Sequence, residues 1–147
     1  MAVSVSNEFD INAPASVVME VLRDIPSLPD WSSAHSSAEV LTTHDDGTPD
    51  RVRIAVGMLG INDTQELAYT WTENTCSWTL LESSQLSEQR GTYTVTSTGA
   101  DSAHVVFELT VDLKIKLPGF LVKKGQNAAA DTAKKGLTAE AEKRAAA

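Results

Sequence analysis

Residues 105–113, VVFELTVDL, constrain the fold of this chain more than any other stretch. Val105, Phe107, Leu109, Val111 and Leu113 alternate with Val106, Glu108, Thr110, Asp112 and Lys114, so a strand here has one apolar face and one largely polar face. It reads as the longest strand of the chain. The period then changes. The following KLPGFLVKKGQNAAADTAKKGLTAEAEKRAAA is rich in alanine and charge, and Pro118 suits a helix start. Asp131 precedes Lys134 and Lys135 by three and four residues, as Glu140 precedes Lys143 and Arg144, which supports one long helix with a solvated face. Leu121, Gly125, Ala128, Thr132 and Gly136 recur at steps of three or four, so the expected inner stripe is slim and made mostly of small side chains. A sheet with one apolar face must cover it, and this helix is the one long element able to do so.

The preceding segments read as strands, with one interruption. Val3, Val5, Phe9 and Ile11 alternate with Ser4, Ser6, Glu8 and Asp10, and Asn7 breaks the apolar set. Pro14 then fits the first helical position, and Val17, Val18, Val21 and Leu22 fall on one helical side. Pro26 and Pro29 end that helix and make a tight corner closed by Trp31. Further strands are expected at AEVLTTH, RVRIAVGM, TQELAYTW, CSWTLLE and EQRGTYTVTS, separated by the turns DDGTPD, GIND, TENT and SSQLS. A two-residue loop at Glu73 and Asn74 would set Trp71 opposite Cys76, Tyr69 opposite Trp78 and Leu67 opposite Leu80. All the large apolar side chains then share one face.

Strands and helices segregated in this way indicate an α+β fold. The expected architecture is a curved antiparallel sheet of about seven strands wrapped around the long C-terminal helix. Two short helices follow the first strand and plug one end of the space between sheet and helix. The whole of 1–147 is expected to form one domain.

Charge and cysteine count narrow the function classes. A formal net charge of -8 disfavours a nucleic-acid ligand, which needs clustered Lys and Arg. A lone cysteine, Cys76, excludes an internal disulfide scaffold and reads as a small buried hydrophobe. No apolar run approaches the roughly 20 residues of a membrane span, and MAVSVSNEFD lacks the pattern of a signal peptide. The expectation is a cytoplasmic monomer or weak dimer without stable membrane insertion.

Three collinear patches resemble the START-like (SRPBCC) superfamily, and within it the actinobacterial polyketide cyclase/dehydrase and lipid-transport-type family. They are INAPASVVMEVLRDIPSLPDW, YTWTENTCSWTLLESSQLSEQRGTYTVT and FELTVDLKIKLPGFLVKKGQ. The resemblance implies the helix-grip fold and a hydrophobic cavity for lipids, polyketides or isoprenoid-like molecules, without implying one activity.

The candidate ligand wall follows from facing. Ile54, Val56, Met58, Leu67, Tyr69, Trp71, Trp78, Tyr93, Phe107 and Leu109 share the apolar face, opposed by Leu121, Gly125, Ala128, Ala129 and Thr132 and closed by Trp31. Each of these side chains reads equally as solid core, and the helix glycines as close packing. Tyr69 and Tyr93, with Gln65, are the inward polar groups that catalysis could use. A phenol that titrates near pH ~10 is a poor base at neutrality. Arg53, Arg90, Glu66 and Asp112 face outward by alternation. His35, His44 and His104 show no metal-ligand spacing and read as exposed; no metal and no cofactor is expected. Three functions stay open: a carrier of a hydrophobic molecule, a polyketide cyclase, aromatase or dehydratase, and a protein-interaction module with a filled core.

Overall fold

A computed structural model describes residues 1–147 apart from Leu59 and the side chain of Met58. The elements run β1 (Ala2–Ile11), α1 (Ala15–Arg23), a 3-10 turn (Ile25–Ser27), α2 (Leu28–Trp31), β2 (His35–Val40), β3 (Arg51–Met58), β4 (Ile61–Trp71), β5 (Thr75–Glu82), β6 (Leu86–Gly99), β7 (Ser102–Leu113) and α3 (Gly119–Ala146). The sheet is seven-stranded and antiparallel, in the order β1-β7-β6-β5-β4-β3-β2. Chain neighbours are therefore sheet neighbours, except that β1 returns to pair with β7 and sets α1 and α2 at one end. β6, with 14 residues, is longer than β7, with 12, because register shifts at Leu86/Glu88 and Ser97/Gly99 each place one extra β6 residue against the β7 ladder.

The hairpin register follows the sequence expectation. Trp71 pairs with Cys76, Tyr69 with Trp78 and Leu67 with Leu80, and the Thr72 N–H donates to the Thr75 carbonyl at 3.1 Å. Register shifts at Glu66/Leu67, at His35/Ser37 and at Leu86/Glu88 bend the sheet into a trough, since each extra residue increases local twist. On the outer face, Arg51 and Arg53 grip Glu66 at 2.9 and 3.1 Å. These ion pairs are partly solvated and contribute little stability.

The position of α3 explains the break in β1. Asn7 points inward, and its Nδ2 donates to the Ala130 carbonyl at 3.1 Å, while Gln126 Nε2 donates to the Ser4 carbonyl at 2.7 Å. The other end of α3 is fixed by Arg144, which donates to Asp24 and Glu140 at 2.9 Å each, and by Glu142, which accepts the Asn12 N–H. Ala133, Leu137 and Ala141 are buried against α1 and the sheet, so the C-terminal half of α3 packs solidly. Its N-terminal half carries no fully buried residue. At the junction, a methyl group on Gly136 would collide with the Trp31 carbonyl, so that glycine provides close approach of α3 to α2. Pro14 and Pro118 each stand just before their helices, as N-caps.

Candidate functional site

Between the trough and the N-terminal half of α3 lies a cavity of about 310 Å³. That volume is at the lower end of small-molecule sites. Its floor is an aromatic ladder laid across four adjacent strands. Ring centroids are 5.6 Å apart for Trp71–Tyr69, 5.7 Å for Tyr69–Trp78, 5.8 Å for Trp78–Tyr93 and 4.8 Å for Tyr93–Phe107. Neighbouring strands bring these rings into register because each occupies an inward position of its own strand. Gly91 is the gap that lets the ladder close: a Cβ there would stand inside the Trp78 indole.

One wall is polar and fully ordered. Trp78 Nε1 donates to Gln89 Oε1 at 3.0 Å, Gln89 Nε2 to Gln65 Oε1 at 2.8 Å, and Gln65 Nε2 to Asp63 Oδ2 at 2.9 Å. Asp63 also accepts the Ser84 N–H at 3.2 Å, the Ser84 hydroxyl at 2.8 Å and a short bond from the Ser83 hydroxyl. Burial pushes the Asp63 carboxyl up, but the bonds from Ser83, Gln65 and Ser84 outweigh it and hold the pKa below the usual value. Asp63 is therefore ionised at neutral pH and cannot serve there as a proton donor.

The remaining titratable groups are constrained by burial. It raises Tyr69 and Tyr93 well above the ordinary phenol, so both stay protonated. Neither hydroxyl makes a hydrogen bond among the described residues, so both are free to donate to a bound molecule. Burial also raises the Cys76 thiol, which removes it as a nucleophile at neutral pH. His35 lines the cavity, with Nδ1 2.6 Å from Ser32 Oγ, and burial lowers its pKa to about 4, so the ring is neutral. Among the described residues no group of three or more His, Cys, Asp or Glu side chains is placed to hold a metal.

The curved antiparallel sheet spanned by a long C-terminal helix is a fold that known proteins share with this one. Residues 11–138 match the family described as polyketide cyclase / dehydrase and lipid transport. The chain belongs to this family. The fold is that of the START superfamily. A START superfamily protein from Mycobacterium smegmatis superposes with a TM-score of 0.88 at 23% identity, covering 96% of this chain and 98% of that one. The Zhui aromatase/cyclase from a Streptomyces species gives 0.79 at 18% identity, covering 98% and 96%. A Thermus thermophilus protein gives 0.80 at 24%, covering 96% and 98%. No curated protein matches the sequence.

In this member of the polyketide cyclase/dehydrase and lipid transport family, the cavity is lined by Trp31, Ile54, Val56, Leu67, Tyr69, Trp78, Tyr93, Phe107, Leu109, Leu121, Gly125, Ala129 and Thr132, all named from the sequence. The side chain of Met58 lies outside the described residues. Trp71 and Ala128 do not line it. Trp71 stacks on Tyr69 at the end of the ladder, and its Nε1 is spent on the Pro49 carbonyl at 2.7 Å. Ala128 sits off the inner stripe of α3, which runs through Gln126, Ala129 and Ala133.

His35 corrects the expectation of an exposed side chain, whereas His44 and His104 keep about a third of their side-chain surface in solvent. His35 is half-buried in the cavity wall, His44 bonds the Tyr69 carbonyl at 2.7 Å, and His104 bonds Asp10 at 2.8 Å. The bond to Asp10 raises the His104 pKa. Sequence reasoning misses Asp63 and Gln89 as wall residues, although the alternation that finds Tyr69 and Tyr93 also reaches them: Asp63, Gln65, Leu67 and Tyr69 share one face of β4, and Gln89, Gly91 and Tyr93 one face of β6.

Proposed function

We propose that this protein binds and carries an apolar small molecule between its sheet and α3. The observation that supports this most directly is the unfilled volume over Tyr69, Trp78, Tyr93 and Phe107. A stretch of apolar and aromatic wall this continuous, left open inside a fold otherwise packed to Leu137, gains stability when a ligand covers it. Membership of a family described by cyclase, dehydrase and lipid transport functions points the same way. The site proposed is the set of lining residues named above. No described helix is long and apolar enough to cross a membrane.

Native mass spectrometry of protein purified from its own host should reveal a co-bound apolar molecule, and Nile red should be taken up and displaced by lipids or polyketides. Absence of any bound species, together with no response to a broad panel, defeats the proposal.

A second reading is cyclisation or dehydration of a poly-β-ketone, favoured by the two uncommitted phenols and by likeness of fold to an aromatase/cyclase. Both phenols can donate hydrogen bonds to a developing enolate but cannot act as bases at neutral pH. Incubation with a poly-β-ketone should give a cyclised product that disappears in the double variant Tyr69→Phe, Tyr93→Phe. An unchanged product pattern removes this mechanism.

A further inference from the structure

We propose that the surface formed by the β7–α3 connection and the first turns of α3 docks reversibly on an anionic lipid bilayer. Phe120 enters the interface, and Lys114, Lys116, Lys123 and Lys124 meet the headgroups. The proposal goes beyond the ligand-binding reading, because it stands on the outer surface alone.

Apolar exposure is concentrated at this end. Among the described residues, the large apolar side chains that stand in solvent are Met1, Leu81, Ile115 and Phe120, with Phe120 73% exposed and Ile115 48%. Ile115 and Phe120 flank the turn from β7 into α3, and Met1 joins them, its sulfur accepting the Leu117 N–H at 3.4 Å. Ile115 and Leu117 also line the cavity, so the cavity reaches solvent here. Apolar residues exposed singly are ordinary, whereas a group of them beside a cavity marks an interaction surface.

Charge is concentrated in the same place, with a sign opposite to that of the chain as a whole. Residues 113–130 hold four of the twelve Lys and Arg residues and none of the twenty Asp and Glu residues. All four lysines are exposed, and none makes an ion pair among the described residues. Lys114 donates to the Ser83 carbonyl at 3.1 Å. Phe120, Lys123 and Lys124 are three and four residues apart, so they share the face of α3 turned away from Leu121, Gly125 and Ala129, which line the cavity.

A formal net charge of -8 repels an anionic surface, but salt confines that repulsion to nearby charges. Asp112 is bonded to the N-terminal ammonium at 2.7 Å. Asp131 lies about 10 Å beyond Lys124 along α3. That is farther than the ~8 Å over which charges act at physiological salt. Glu82 and Glu88, near the β5–β6 turn, are the opposing charges that remain, and the four lysines outnumber them.

This combination fits a bilayer better than a protein. A protein partner needs a pocket cut to Phe120, and flexible lysines specify no such shape. A lipid surface takes the ring at headgroup level, while the lysine stems lie along apolar surface and leave their ammonium groups among the phosphates.

Flotation with vesicles tests this on the full chain, using phosphatidylcholine alone and phosphatidylcholine with about 30% phosphatidylglycerol at about 0.1 M salt. At least about fivefold more protein should float with the anionic vesicles, and about 0.5 M salt should remove most of it. The double variant Lys123→Glu, Lys124→Glu should lose at least about fivefold of that binding, and Phe120→Ser at least about threefold. Lys134→Glu with Lys135→Glu makes the same charge change farther along α3 and should stay within about twofold of the parent. None of these side chains lines the cavity, so Nile red uptake without vesicles should match the parent in every variant. A loss as large for the Lys134/Lys135 pair as for Lys123/Lys124 overturns the placement of the surface. Full flotation of Phe120→Ser overturns the role of the ring. No flotation of the parent on anionic vesicles overturns the proposal and turns the lysines toward an acidic protein; Nile red uptake then still decides the ligand-binding reading separately.

Discussion

The indole of Trp78 occupies the space that a side chain on Gly91, its partner across β5 and β6, would need. The ring is held on both sides by Tyr69 and Tyr93 and at its nitrogen by Gln89, so it can yield only toward the cavity, at the expense of these contacts. Gly91→Ala should therefore destabilise the fold by roughly 1–3 kcal/mol through overpacking. That exceeds the roughly 0.5–1 kcal/mol gained by removing a glycine from a strand. A lowered urea midpoint with shifted tryptophan fluorescence is expected; a variant as stable as the parent would show that the ring is not confined.

Gly136 offers a test of opposite leanings. Replacing a mid-helix glycine by alanine should stabilise an isolated helix by about 1 kcal/mol. Here the new methyl group meets the Trp31 carbonyl, which belongs to backbone and moves only with α2. Gly136→Ala should accordingly lower the melting temperature and weaken Nile red binding, since α2 and Trp31 close one end of the cavity. A rise in melting temperature would place α2 further from α3 than the structure does.

Asp63 ties the turn between β5 and β6 to β4. Its removal in Asp63→Ala strips acceptors from the Ser84 N–H, two serine hydroxyls and Gln65, at a cost of roughly 3 kcal/mol. Hydrogen exchange should speed up at the Ser84 amide before it does at the core amide of Val105. The pH dependence has a definite sign. With its pKa lowered in the folded state, Asp63 stabilises the fold above the ordinary carboxyl range, and that contribution is lost as the pH falls through the folded value. Asp63→Asn should flatten the stability curve below about pH 4; an unchanged acid limb would remove Asp63 from the account.

The parts of this fold that are legible in the sequence are those in which side-chain contrast is strong. The β4–β5 register can be read because a slip by one residue would turn Tyr69, Trp71 and Trp78 to water together. The phase of α3 cannot be fixed so well. Among alanines, one face differs little from the next, and Ala128 reads from the sequence as a member of the inner stripe that Ala129 in fact occupies. The burial of His35 is hidden because β2, HSSAEV, has almost no apolar residue, and the cover comes from the adjoining α2 corner, with Ser32 bonded to the ring. Asn7 looks like an interruption in β1, and only the placement of the helix reveals its partner, the Ala130 carbonyl. Gln89 and Asp63 carry a usable signal, inward phase. A search for apolar side chains on that face passes over them.

His35 makes the most specific statement about pH. Its pKa is about 4 in the folded protein, against about 6.5 for an unperturbed histidine, because burial disfavours the charged ring. The unfolded chain therefore takes up a proton at higher pH than the folded one does. Stability from this residue is fully present above about pH 6.5, declines as the pH falls from there towards 4, and declines no further once both states are protonated. The size is of order 3 kcal/mol at most for a fully desolvated ring. His104 acts in the opposite sense: its pKa is raised by the bond to Asp10, so its contribution is present at low pH and lost as the pH rises through the folded value. A comparison of the parent with His35→Gln isolates the first effect, because His104 is common to both. Urea midpoints measured between about pH 7.5 and 4 should fall more steeply for the parent, whatever constant offset the substitution brings. Parallel curves would mean that the ring titrates normally and stands in water rather than in the cavity wall.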